Sequence, residues 1–320
     1  MKNKMICLSV FMLCLMLFGC NKKSEEETAE QQAEETVKAP INVIGRAEDN
    51  KEDLLPKHEY ELKENHEVGG RQGIAYEDGY YYVSDSKKLF VYDENWQLIN
   101  EADGQFSAFE NEVNHIGDID VYNGEIYAGI EYFMDGESKN IQIAVYDAKT
   151  LKMVRTVMFD ENSGQTEVSG IAIDPDSSSV WMCSWSDGDS GRYLYRYDLE
   201  NGEYLGKYHL QPAPQYIQSV ACFDGNLYIT ADDGDADLGE ADHIYRYRVD
   251  LSRSNAPVVL ERTLDDIILQ GEIEGLSFDK ENKRLLVCYN HGARIVLGMG
   301  KGFYEGFDKE IHNIYVYDFK

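Results

Sequence analysis

Residues 71–93, RQGIAYEDGYYYVSDSKKLFVYD, decide the fold. An Asp-Gly pair (Asp78, Gly79) separates two short apolar runs, which is a strong signal for a two-residue β-hairpin. A second polar turn at residues 85–88 leads into a third run, residues 89–92. Three antiparallel strands fit this span, and a helix does not.

Working outward, the pattern returns four times. The leading strands are QGIAY (72–76), GDIDV (117–121), SGIAI (169–173), QSVAC (218–222) and EGLSF (274–278), spaced 45, 52, 49 and 56 residues apart. Each meets a turn and a second strand, and a third recurs as LFVYD, IAVYD, LYRYD, IYRYRVD and IYVYD. Four-strand repeats near this period indicate an all-β chain folded as a β-propeller of five blades of four antiparallel strands, with six as the alternative count. The last repeat ends without a fourth strand. Residues 58–63 parallel the outer strand of a blade, so the N-terminal strand is expected to complete the final blade and shut the ring.

Before the propeller, residues 1–19 carry Lys2 and Lys4, an apolar run and Gly19 ahead of Cys20, the pattern of a secretory signal peptide. The segment LFGC (17–20) resembles the lipobox of bacterial lipoproteins. That resemblance implies cleavage before Cys20, diacylglycerol on its sulfur and a third acyl chain, palmitate, on its new amino end. Two or three acyl chains hold a protein stably on a bilayer. Residues 20–57 are polar, with ten acidic and six basic residues and no aromatics, and read as the lipidated Cys followed by a disordered tether. The propeller, residues 58–320, is then an extracytoplasmic body anchored to the cell membrane.

With 59 acidic against 30 basic residues the net charge is −29, most of it in the body. Such a body repels nucleic acid and attracts cations, so no nucleic-acid partner is expected. The cysteines of the body, Cys183, Cys222 and Cys288, are too few for a disulfide framework and read as small core residues. A monomer is expected.

Loops between second and third strands open on the face where the leading strands begin. TADDGDADLGEADH (230–243) is that loop in blade four; SDGDSGR (186–192) with Asp187 and Asp189, and FMDGESKN (133–140) with Asp135 and Glu137, are its counterparts. Blade five carries an insertion at 290–310, whose GMGKG (298–302) lacks the Ser or Thr of a phosphate loop and reads as a cover over the channel. The face is acidic, and Gln72, Asp118, Gln218 and Glu274 should ring the channel. Asp233, Asp235 and Asp237 begin like a calcium loop, making calcium the one cofactor suggested, but Leu238 stands where the turn Gly belongs and Ile244 where the bidentate Glu belongs. Trp185 and His291 join Gln72 and Gln218 as ligand-binding candidates.

The stretch RQGIAYEDGYYYVSDS also resembles the glutamine cyclotransferase family through Gln72, Gly73, Asp78, Gly79, Tyr82 and Ser84, with Val83 where that family carries an acidic residue. The resemblance implies a five-bladed enzyme fold. A looser one, to propeller lipoproteins and the amine-dehydrogenase-like superfamily, implies fold alone. The leading functional expectation is a tethered binding module whose acidic face takes a peptide, carbohydrate or partner protein. The alternative is an extracytoplasmic hydrolase or glutaminyl-cyclotransferase-like enzyme using Asp118 and Glu274 as its carboxylate pair.

Overall fold

Two-residue turns set the strand registers. Asp78-Gly79, Asn123-Gly124, Asp135-Gly136 and Asp224-Gly225 all have both residues at positive φ, the geometry whose twist matches that of the strands it joins. The protein, seen in a computed structural model, is described over residues 57–185 and 188–320. The segment read as a signal peptide, Cys20, nearly all of the segment read as a tether, and Asp187 lie outside the described residues.

Strand β1 (Tyr60–Glu67) precedes blade one, which comprises β2 (Gly73–Glu77), β3 (Tyr80–Asp85), β4 (Lys88–Tyr92) and β5 (Leu98–Asp103). Blade two is β6 (His115–Tyr122), β7 (Glu125–Met134), β8 (Glu137–Asp147) and β9 (Met153–Met158). Blade three is β10 (Gly170–Asp174), β11 (Ser179–Cys183), β12 (Tyr193–Asp198) and β13 (Tyr204–Gln211). Blade four is β14 (Ile217–Phe223), β15 (Asn226–Ala231), β16 (His243–Arg248) and, after a short β17 (Asn255–Pro257), β18 (Val259–Thr263). Strand β17 leaves its own blade and pairs parallel with β13, as a fifth strand on blade three. Blade five holds β19 (Gly271–Asp279) and β20 (Arg284–His291), then a separate hairpin of β21 (Ala293–Val296) and β22 (Met299–Phe303), and finally β23 (Ile311–Phe319).

Five blades, not six, close the ring. As expected, β1 supplies the outer strand of blade five, pairing antiparallel with β23 from Tyr60↔Phe319 to Glu67↔Asn313. His66 on this strand stacks on Trp96 of blade one at 4.5 Å, and Trp96 stacks on Tyr81 at 4.0 Å. The closing strand is thereby tied to the first blade by ring contact as well as by its ladder.

The buried apolar side chains divide into five clusters, one between each pair of neighbouring blades. Alternation explains this: Tyr82 faces blade two while Tyr81 and Val83 face blade five, because successive side chains leave opposite faces of a strand. Cys183 and Cys288 are free and fully buried in these seams, and burial raises both thiols. They pack as core residues.

Candidate functional site

Each leading strand enters the ring through an irregularity at the same level. Registers shift between Ile116 and Ile119, between Ile217 and Ser219, and between Ile273 and Leu276. In blades one and three the amides of Gln72 and Ser169 reach the carbonyls of Ser84 and Cys183, one residue out of step with the ladders that follow. A β-bulge re-aims the side chains around it. Here the bulges carry Gln72, Ser169, Gln218 and Glu274, which line one cavity of about 280 Å³ at the channel mouth.

One layer deeper the channel is plugged. Gly73, Gly170 and Gly275 bring neighbouring inner strands so close that a Cβ on Gly170 would lie 2.8 Å from Ser219 Cα, and one on Gly275 2.7 Å from Gly73 Cα. The other two residues at this level are Asp118 and Ser219. Ser219 Oγ donates to Asp118 Oδ2 at 2.5 Å and accepts from the Leu276 amide at 3.1 Å, while the Ile119 amide donates to Asp118 Oδ1 at 2.9 Å. Burial holds the Asp118 carboxyl well above the ordinary range, against the hydrogen bonds from Ser219 and Ile119. Asp118 and Ser219 fill the channel and make the cavity a blind cup.

An ion cluster forms the blade-five wall. Arg71 Nη2 lies 2.9 Å from Glu272 and 3.5 Å from Glu274, and its Nε lies 3.1 Å from Glu310. Burial works against the guanidinium charge, but Glu274, Glu272 and Glu310 more than compensate and hold its pKa above normal. The same burial raises the Glu272 carboxyl, and raises Glu274 well above the carboxylate range, with Arg71 only partly offsetting it. Asn290 Nδ2 donates to Glu274 at 3.1 Å and fixes its position.

Opposite stands His115. Its Nδ1 lies 3.3 Å from Glu131, which is fully buried and also accepts from the Val168 amide at 3.0 Å; its Nε2 lies 3.0 Å from Gln72 Oε1. Turning over the Gln72 amide exchanges oxygen for NH₂, so Gln72 can meet a charged ring as acceptor or a neutral ring as donor. Phe133 packs on the imidazole at 5.5 Å. On the third wall the Trp185 amide donates to Glu167 at 2.6 Å, and the indole lies 5.9 Å from the Tyr216 ring.

Of the residues singled out from sequence, Gln72, Gln218, Trp185 and Glu274 share the cup. Asp118 is buried in the layer beneath it, and Glu274 stands in its wall. His291 lies outside it, its ring against Phe307 at 5.8 Å and its pKa lowered by burial and by His312. The blade-four loop uses its carboxylates internally: Asp233 accepts from Tyr245 at 2.6 Å and pairs with His243 at 2.8 Å, Asp235 accepts from the Asp237 amide, and Asp237 from Gln270. Among the described residues no group of three or more His, Cys, Asp or Glu side chains is gathered to hold a metal ion. Arg71, His115, Glu131, Glu167 and Glu272 were not singled out from sequence.

No family model matches this sequence, and no curated protein matches it. Among solved structures the chain is similar to the glutaminyl cyclase of Myxococcus xanthus, at 11% identity with a TM-score of 0.52, over 82% of this chain and 97% of that one. Hydrazine synthase of Kuenenia stuttgartiensis matches at 14% identity with a TM-score of 0.43, over 68% of this chain and 63% of that one. At such identity the first likeness shows the fold alone.

Proposed function

We propose that the cup binds a small ligand with a protonated amine and an apolar body, such as the amino-terminal end of a peptide. The carrying observation is that Glu272 and Glu274 are buried in the wall of a cavity that also presents Trp185 and Phe133. A buried carboxylate is costly unless paired. Arg71 is one cation among three glutamates, and a ligand ammonium would supply the missing positive charge, while the aromatic walls would take its apolar part. Gln72 and Gln218 offer amide groups to a peptide backbone. The sequence supports carriage of this site outside the cell membrane on a lipid attached to Cys20, and metabolic labelling with palmitate, lost in Cys20→Ala, tests that part.

Calorimetry with short peptides tests the site. Peptides with a free amino end should bind at least about tenfold more tightly than their N-acetylated forms, roughly 1.4 kcal/mol, and Glu272→Gln/Glu274→Gln should erase the difference. Affinity should rise with pH as the raised carboxyl of Glu274 loses its proton, until the peptide amine, near pH 8, loses its own. Equal binding of free and acetylated peptides would sink the proposal.

A second reading, acid–base catalysis, is favoured by His115 with Glu131 behind it in the same cavity as a proton-retaining Glu274. Peptides beginning with glutamine, incubated with the protein, would lose ammonia under a cyclotransferase. Their recovery unchanged would leave the binding reading alone.

A further inference from the structure

The insertion of blade five starts beside β19 of its own blade and then leaves it. Strands β21 and β22 pair only with each other. Their two-residue turn, Leu297-Gly298, reaches blade two: Leu297 Cβ lies 3.3 Å from where a Cβ on Gly136 would stand, and a Cβ on Gly298 would lie 2.5 Å from the Phe133 ring. Blade one stands between blades five and two in the ring, so the hairpin crosses above it. Gly298 and Met299 thereby line the cup together with Phe133 and Met134.

Two features of this crossing bear on its role. The tip is strained, since Leu297 has φ +51°, a region that crowds the Cβ of any residue but glycine. The hairpin is also sparsely packed, with Val296, Leu297 and Phe303 about half exposed at 50%, 53% and 49%. Lifting it would break no hydrogen bond of a blade ladder. Asp118 and Ser219 are buried beneath the cup, and the hairpin crosses part of its mouth.

We propose that the hairpin is a latch, held shut where Leu297 and Gly298 meet Gly136 and Phe133, and that ligand reaches the cup when this contact opens. A site closed below and partly covered by a hairpin favours a chain end or a small molecule over a polymer running through. This restriction rests on the binding reading above; the latch itself does not.

The test needs no ligand. In the full chain, Gly136→Cys/Leu297→Cys places two Cβ atoms near the roughly 3.8 Å of a disulfide. The probe is diethyl pyrocarbonate, with modification of His115 followed by peptide mass spectrometry and the other histidines as internal standards. Oxidation of the double variant should slow His115 modification at least tenfold, reduction should restore it, and wild type should show no such dependence. Replacing residues 294–302 by a short Gly-Ser linker should make His115 react faster than in wild type, and decides the matter alone if the cysteines do not cross-link. Equal rates in oxidised and reduced forms, or a linker variant no faster than wild type, would overturn the latch. A working latch with no amine-dependent peptide binding would leave the latch standing and remove the proposed ligand.

Discussion

Asp233, Asp235 and Asp237, in the loop between β15 and β16, are each held by a different neighbour, His243 and Tyr245, the Asp237 amide, and Gln270. Glu272, Glu274 and Glu310, at the channel mouth, converge on Arg71. The loop has the higher density of acids along the chain. At the mouth three carboxylates share one guanidinium, with groups drawn from both ends of the propeller. Charge close in sequence can be dispersed by turns and solvent, whereas charge brought together by neighbouring blades loses its water and must find a partner.

Removing Arg71 should break this contrast most severely. Arg71→Met leaves carboxylates buried without their cation and should cost about 3–5 kcal/mol near neutral pH, read by urea unfolding. The raised folded pKa values of Glu272 and Glu274 fix the sign: protonated carboxyls are favoured in the folded state, so the variant should hold best in acid and lose stability as pH rises above the unfolded carboxylate value of about 4.3. A loss independent of pH would mean that packing, not charge, is the guanidinium's role.

Next in size is the floor. Burial raises Asp118 in the fold, so its contribution is fully present below the unfolded Asp value of about 3.9 and declines as pH rises through the folded value. Asp118→Asn does not titrate and can still bond to Ser219. It should melt a few degrees above wild type at pH 8 and level with it near pH 4. A variant less stable at both pH values would show that the ionised carboxylate is wanted there.

The architecture was legible because each hairpin carries its own turn chemistry and each blade repeats it; Asp78-Gly79, Asn123-Gly124 and Asp224-Gly225 fix three registers outright. The site was legible where a residue leads an inner strand, as Gln72, Gln218 and Glu274 do, and at Trp185, an aromatic just past the second strand of blade three. His115 shows why the rest was not. Counting back from the Asn123-Gly124 turn in an unbroken ladder sets His115 opposite Tyr132, and the bulge beside Asp118 shifts it opposite Glu131. A one-residue slip exchanges the faces of a strand, and nothing local in GDIDV announces the bulge. Arg71 and Glu310 meet only because the ring closes, a contact that no periodicity within one blade contains.

Two of the histidine–carboxylate pairs, His115–Glu131 and His243–Asp233, give the finer test of the same contrast. His115→Ala removes a donor from a fully buried Glu131 and should cost roughly 1–3 kcal/mol. His243→Ala leaves Asp233 with Tyr245 and partial solvent, and should cost about 0.5 kcal/mol. Smallest of all should be Asp235→Ala/Asp237→Ala, within about 0.5 kcal/mol of wild type, with calcium or chelator leaving the melting temperature unmoved. The order of these three effects follows from how completely each carboxylate is withdrawn from water. A calcium-dependent rise in melting temperature, lost in Asp235→Ala/Asp237→Ala, would reverse the comparison, because the loop would then be the region that gathers charge around a partner.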